Sequence, residues 1–311
     1  MRTVSSVCIA AAGCGILLLG CPGPYRLGFP GPYPERGYHQ TFREGLPITI
    51  FYPDTDPPMQ NLPLIIFNAG FIQPRASYEG FGRQLAQWGY VVVIRTYASL
   101  GLVGVGDSLL WEHVAQFSDL IDWVAEENLR PGSPLYGMVD TTNVGTTGHS
   151  FGASVAIVAG VADPRVRAVV SLDVSYNGGD LDVLDLLPED DTPYFYVAAD
   201  SGGWCSIPPV ANGRLFDYTN PPTVQATIAG ADHMDFMDTP IGLYYLGYVG
   251  CPRGPLDDQI SRDYATKYMV AWFQVHLKGQ REFADYYNGT LADADEATGL
   301  ISFMRKLEPV E

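Results

Sequence analysis

The stretch at residues 143–153, NVGTTGHSFGA, constrains this chain more than any other. A β-prone run at 143–147 leads into Gly148-His149-Ser150-Phe151-Gly152, and an apolar helix is predicted over 153–161. Strand, Gly-x-Ser-x-Gly and helix is the context in which a sharp turn lifts a serine hydroxyl out of a sheet. Such a turn leaves no room for side chains at the positions flanking the serine, and both are glycine. The helix N-terminus below it offers N–H groups to a developing negative charge.

The remaining chain supplies a sheet for that turn. LPLIIF (62–67), YVVVI (90–94), VRAVVSL (166–172), PYFYVAA (193–199) and TVQATIA (223–229) read as buried strands, the last of them closing the series. Amphipathic spacing predicts helices over 77–87, 109–125 and 262–277. Residues 38–42 and 47–52 read as two edge strands turning at Glu44-Gly45, and 128–142 as a loop. Continuous apolar strands alternating with helices predict an α/β fold, a mostly parallel central sheet flanked by helices. No repeat or change of composition divides it, so 37–311 is expected to be a single domain. The acidic residues Asp293, Asp295 and Glu296 are expected on a solvated surface.

The start of the chain reads differently. Arg2 precedes an apolar run at 7–20, about 14 residues long and too short for a comfortable membrane span. It ends in Leu18-Leu19-Gly20-Cys21, which resembles a bacterial lipobox. The resemblance implies a signal peptide over 1–20, a lipid on Cys21 and export to the cell envelope, periplasm or outer surface. Residues 21–36 are rich in proline and glycine and read as a tether. Of the five cysteines, only Cys205 and Cys251 then remain in the folded part, and in an oxidising compartment they are expected to pair. A net charge of −17 argues against nucleic acid as a partner. No metal-type Cys/His spacing appears, so neither metal nor cofactor is expected.

A serine hydroxyl needs a base, and histidine is the side chain best matched to neutral pH. Of the five histidines, His39 lies near an edge strand, and His113 and His276 fall on predicted helices as packing or surface residues. His149, next to the serine, points away from where a base must sit. His233 remains, in a loop after a strand and late in the chain. The acid is open between Asp173, after the strand that follows the turn, and Asp200, after the next one; both are in chain order Ser, acid, His. The N–H groups of Phe71, after the 62–67 strand, and of Phe151 are the candidates for an oxyanion hole.

Four strings carry a family resemblance: IIFNAGF, LAQWGYVVV, TTGHSFGA and IAGADHMDFMD. Together they resemble the α/β-hydrolase group of bacterial polyester hydrolases and cutinases, platelet-activating-factor acetylhydrolases and chlorophyllases, over residues 47–279. The run LYGMVDTTNVGTTGHS is close to the polyester-hydrolase run at this place. The loop at 230–238, with His233-Met234-Asp235, is closer to the acetylhydrolases and chlorophyllases. The acetylhydrolase pattern implies Asp173, in Leu172-Asp173, as the acid, with Asp200 as the alternative. His149 and Ser175 stand where polyester hydrolases carry their aromatic clamp, so polymer cleavage is not the first expectation; Trp204 offers another aromatic wall.

The resemblance implies a serine hydrolase that cleaves a small-molecule, lipid or polymer carboxylic ester through an acyl-enzyme. It is expected to act as a monomer, touching the membrane only through its N-terminal lipid. Hydrolysis of amides or thioesters is one alternative. A catalytically silent binding lipoprotein on the same fold is another.

Overall fold

The strand Leu62–Asn68 (β3) is buried along its whole length because both of its faces are covered. Leu64 and Ile66 enter a core on one side of the sheet, and Ile65 and Phe67 enter a second core on the other. That alternation is the period-two geometry of a strand applied to a run with no polar face. The computed structural model describes residues 31–71, 73–96, 107–174, 186–201, 215–238 and 251–307. Cys21, Ser175, Trp204 and Cys205 lie outside the described residues, as does the whole of 1–30.

Around β3 stand Glu35–Phe42 (β1), Leu46–Pro53 (β2), Val91–Arg95 (β4), Val139–His149 (β5), Val166–Leu172 (β6), Tyr194–Ala199 (β7), Thr223–Ile228 (β8) and Ile301–Lys306 (β9). They form one nine-stranded sheet in the order β1-β2-β4-β3-β5-β6-β7-β8-β9. The central strands β4 to β8 run parallel, and β1, β2 and β9 add antiparallel pairings at the two edges. The helices are Glu79–Gln87 (α1), Asp107–Leu129 (α2), Phe151–Ala162 (α3), Asp258–Lys278 (α4) and Thr290–Glu296 (α5). Phe81 and Leu85 of α1 and Tyr268 and Trp272 of α4 belong to one core. Phe117 and Leu120 of α2 and Val155 and Ile157 of α3 belong to the other. The architecture is the expected one, a mostly parallel sheet between helical layers.

Several local expectations need correction. The first strand starts at Glu35, inside the stretch read as tether, where Glu35 and Arg36 pair with Pro53 and Tyr52. The stretch 139–142, read as loop, belongs to β5, with Val139 opposite Leu62 and Asp140 opposite Pro63. The strand at 223–228 is not the last: β9 pairs along it, Thr223 opposite Lys306 through Ile228 opposite Ile301. The acidic stretch at 293–296 is not simply solvated. Asp295 pairs with the buried Lys267 Nζ and accepts from Tyr268 Oη at 3.0 Å, and Glu296 pairs with Arg305 at 2.9 Å.

Candidate active site

Ser150 sits between β5 and α3 with φ 59° and ψ −124°, a conformation that few non-glycine residues adopt. Packing holds it there. A Cβ added to Gly148 would overlap the carbonyl oxygen of Gly152, and one added to Gly152 would overlap that of Asn68. The turn therefore closes only because both flanking residues lack side chains. The Ser150 N–H donates to Leu172 O at 3.1 Å, and Ser150 O accepts from Ala153 N–H at 3.0 Å, starting the helix.

His233 opens a 3-10 turn, His233–Phe236, directly behind β8 and its short loop. Its Nε2 lies 2.9 Å from Ser150 Oγ, and its Nδ1 lies 2.6 Å from Asp173 Oδ2. A carboxylate only accepts, so Nδ1 carries the proton and Nε2 presents its lone pair to the serine hydroxyl. Asp173 is fully buried, and its other oxygen accepts from Ala199 N–H at 3.0 Å. Its backbone is bent to φ 38°, and its N–H is held by Val197 O at 2.7 Å. The carboxylate is thus fixed by β7 on one side and engaged with the imidazole on the other.

Asp200 is placed differently. It is exposed, and its Oδ1 accepts from Gly230 N–H and from Ser201 Oγ, both at 2.7 Å. It orders the turn after β8, while the carboxylate that meets His233 is that of Asp173.

The His233 turn is braced from below. Asp232 and Asp235 form a reciprocal capping box across it. Arg253 reaches Asp232 and Asp235 at 3.2 Å each and Asp258 at 2.6 Å. Asp232 also accepts from Gly254 N–H and Asp235 from Ser261 Oγ, each at 2.7 Å. Burial pushes the Asp235 carboxyl up, against the hydrogen bond from Ser261. The string His233-Met234-Asp235 is therefore one buried, fastened turn.

Phe71 follows β3 and packs its ring edge-on against Phe151, with centroids 6.3 Å apart. The Phe71 N–H donates to no acceptor among the described residues, and Phe151 is the first residue of α3. Both candidate oxyanion donors stand beside the serine turn. His113, expected as an ordinary helix residue, is buried against Phe151 at 5.8 Å, and burial brings its pKa down to about 4.

His149 and Tyr78 were not singled out as partners by the sequence. His149 does not point away from the site: its ring centroid is 4.6 Å from that of His233, and its Nε2 is 2.7 Å from His233 O. The missed signal is Tyr78, the residue immediately before α1, which no periodicity connects to residue 149. Among the described residues no group of three or more His, Cys, Asp or Glu could hold a metal ion.

A nine-stranded, mostly parallel sheet carrying a serine on a strained strand-to-helix turn defines an α/β-hydrolase-fold protein. Residues 42–178 match the family model described as "PETase: PET hydrolase-like". The chain is also similar to platelet-activating factor acetylhydrolase of Canis lupus familiaris, 24% identical over 165 residues, 52% of this chain and 35% of that protein. The enzyme of the same name from Bos taurus is 24% identical over 151 residues, 48% of this chain and 33% of that protein. The chain thus spans about a third of the length of these curated relatives. It is similar, over part of its length, to polyester hydrolases and platelet-activating-factor acetylhydrolases.

Proposed function

We propose that this protein is a serine hydrolase of carboxylic esters, with Ser150 as nucleophile, His233 as base and Asp173 as the acid that orients it. One observation carries the reading: Ser150 Oγ, His233 Nε2, His233 Nδ1 and Asp173 Oδ2 form an unbroken buried line of hydrogen bonds, 2.9 and 2.6 Å long. The similarity to polyester hydrolases and acetylhydrolases supports the ester as substrate class, a small molecule or a lipid.

Ser150 Oγ attacks the carbonyl carbon while its proton passes to His233 Nε2. Asp173 stabilises the imidazolium across the short Nδ1–H bond. The N–H groups of Phe71 and Phe151 donate to the oxyanion. As the tetrahedral intermediate collapses, the alcohol leaves with the proton from Nε2, and Ser150 holds the acyl group. A water then gives a proton to Nε2 and attacks the acyl carbon, and Ser150 takes the proton back as the acid departs.

The same reading places the protein in a bacterial envelope, lipid-anchored through Cys21. Cys205 is taken as the disulfide partner of Cys251, which packs against the core that also holds Met234 and Phe236. The test is hydrolysis of short and medium chromogenic esters by the purified chain beside its Ser150→Ala form. Turnover in the first and none in the second is expected. Turnover that survives in Ser150→Ala overturns the assignment.

A further inference from the structure

The buried ring of His149 takes no part in the line of proton transfer, yet both of its nitrogens are engaged. Nε2 meets His233 O at 2.7 Å, and Nδ1 meets Tyr78 Oη at 2.9 Å. Tyr78 Oη in turn meets Gly70 N at 3.1 Å. Both side chains are buried, Tyr78 completely.

The protons along this path are determined by the ends. The His233 carbonyl can only accept, so His149 Nε2 carries a hydrogen. Burial first, and the neighbouring His233 second, hold the His149 pKa well below its usual value, so the ring is neutral and Nδ1 is a bare acceptor. Tyr78 Oη–H therefore donates to Nδ1. Its one proton thus committed, Oη accepts from Gly70 N–H. The path runs Gly70 N–H to Tyr78 Oη–H to His149 Nδ1, then His149 Nε2–H to His233 O, with one proton on each bond.

Its two ends matter. Gly70 is the residue before Phe71, whose N–H faces the oxyanion in the reading above. His233 is the base, and the path grips its main chain while Asp173 grips its ring. Close approach fixes Gly70 as well: a Cβ there would lie 2.8 Å from Tyr78 Oη and 3.2 Å from His149 Nδ1.

Resting on the ester-hydrolase reading, we propose that Tyr78 and His149 are positioning residues that lock the oxyanion segment and the catalytic histidine into one geometry. Neither touches the reacting atoms. Displacement of a reacting group by a fraction of an ångström to 1 Å costs turnover far more than it costs substrate affinity.

The experiment uses the full chain and three variants. Tyr78→Phe keeps the ring and removes the hydroxyl. His149→Leu removes both nitrogens. His149→Gln restores an amide N–H near the place of Nε2. Tyr78→Phe and His149→Leu are expected to lower kcat about 10- to 100-fold with KM within about twofold. His149→Gln is expected to recover most of the loss seen in His149→Leu. Folding is checked by thermal unfolding. A kcat within twofold of wild type in folded Tyr78→Phe or His149→Leu overturns the proposal, as does an equal loss in the Gln and Leu forms.

A second measurement needs no substrate, so it stands even if the wild type cleaves no ester and the functional reading itself fails. Imidazole ¹⁵N spectra from pH 5 to 8, with His149 assigned by the resonance lost in His149→Leu, are expected to show that ring locked as the neutral Nε2–H tautomer, and a shift of the His233 resonances in Tyr78→Phe. An Nδ1–H tautomer or a titrating ring at His149, or unmoved His233 resonances, overturns it.

Discussion

Asp173→Asn inverts the imidazole it faces. In the native site one oxygen of Asp173 accepts from Ala199 N–H at 3.0 Å, and the other lies 2.6 Å from His233 Nδ1. The Ala199 donor holds the oxygen of an asparagine amide in its place, so the new NH2 group takes the position opposite Nδ1. Two N–H groups cannot face each other at that distance, and His233 responds by moving its proton to Nε2. Nε2–H then points at Ser150 Oγ, and the serine has lost its acceptor. The same inversion in serine proteases costs about 10⁴ in turnover, or about 5 kcal/mol of barrier at 1.36 kcal/mol per decade. Asp200→Asn should stay near wild type, because that exposed carboxylate serves Gly230 and Ser201. The assay is kcat on a chromogenic ester for both variants, with thermal unfolding to show that each is folded. Equal mild losses, or a larger loss in Asp200→Asn, refute the reasoning.

Three further outcomes are expected. Gly152→Ala pushes a methyl group into the Asn68 carbonyl at the end of β3; overpacking of this kind costs about 1–3 kcal/mol, and the shifted strand end should slow ester turnover as well, both readable from urea unfolding and kinetics on one preparation. Asp295→Ala strands Lys267, whose side chain is only 5% exposed; loss of one partner of a buried pair costs about 3–5 kcal/mol, somewhat less here because Asp295 is 15% exposed, and an unfolding midpoint equal to wild type would contradict it. His276 packs its ring at a tilt against Trp272, with centroids 4.1 Å apart, its Nε2 is buried with no partner among the described residues, and burial brings its pKa down to about 4. Between roughly pH 6.5 and 4 the unfolded chain then binds a proton that the folded ring refuses, so this contribution to stability falls as pH falls, by at most about 1.4 kcal/mol per pH unit. His276→Gln should flatten the pH dependence of stability across that window; an unchanged slope would show that the ring titrates normally.

The serine turn was legible because everything that makes it is local. The two glycines, the β-prone run before them and the apolar helix after them lie within the nineteen consecutive residues 143–161. The buried strands were legible for a related reason: a strand covered on both faces has no polar position, and runs such as LPLIIF and YVVVI admit few other readings. Residues 139–142 and 301–306 were not legible. The first reads VDTT, with a single apolar residue, and ISFMRK keeps the alternation of a strand for only three residues, so β9 exists because β8 offers it an edge.

Tertiary structure alone decided the rest. Asp173 and Asp200 both follow parallel strands at the same end of the sheet, and apart from the family resemblance carried by Leu172-Asp173 no local property ranks them. The choice depends on where the loop after β8 sets down His233, and that turn is fixed by Arg253, Gly254 and Ser261 from farther along the chain. Asp293 to Glu296 reads as a charged surface until α4 brings Lys267 beneath it. His149 reads as a bystander until Tyr78 and the His233 carbonyl close on its two nitrogens. Local sequence fixes backbone turns and apolar faces, because these depend on neighbours a few residues away. Which polar groups meet depends on contacts between residues tens of positions apart, and only the folded sheet sets those distances.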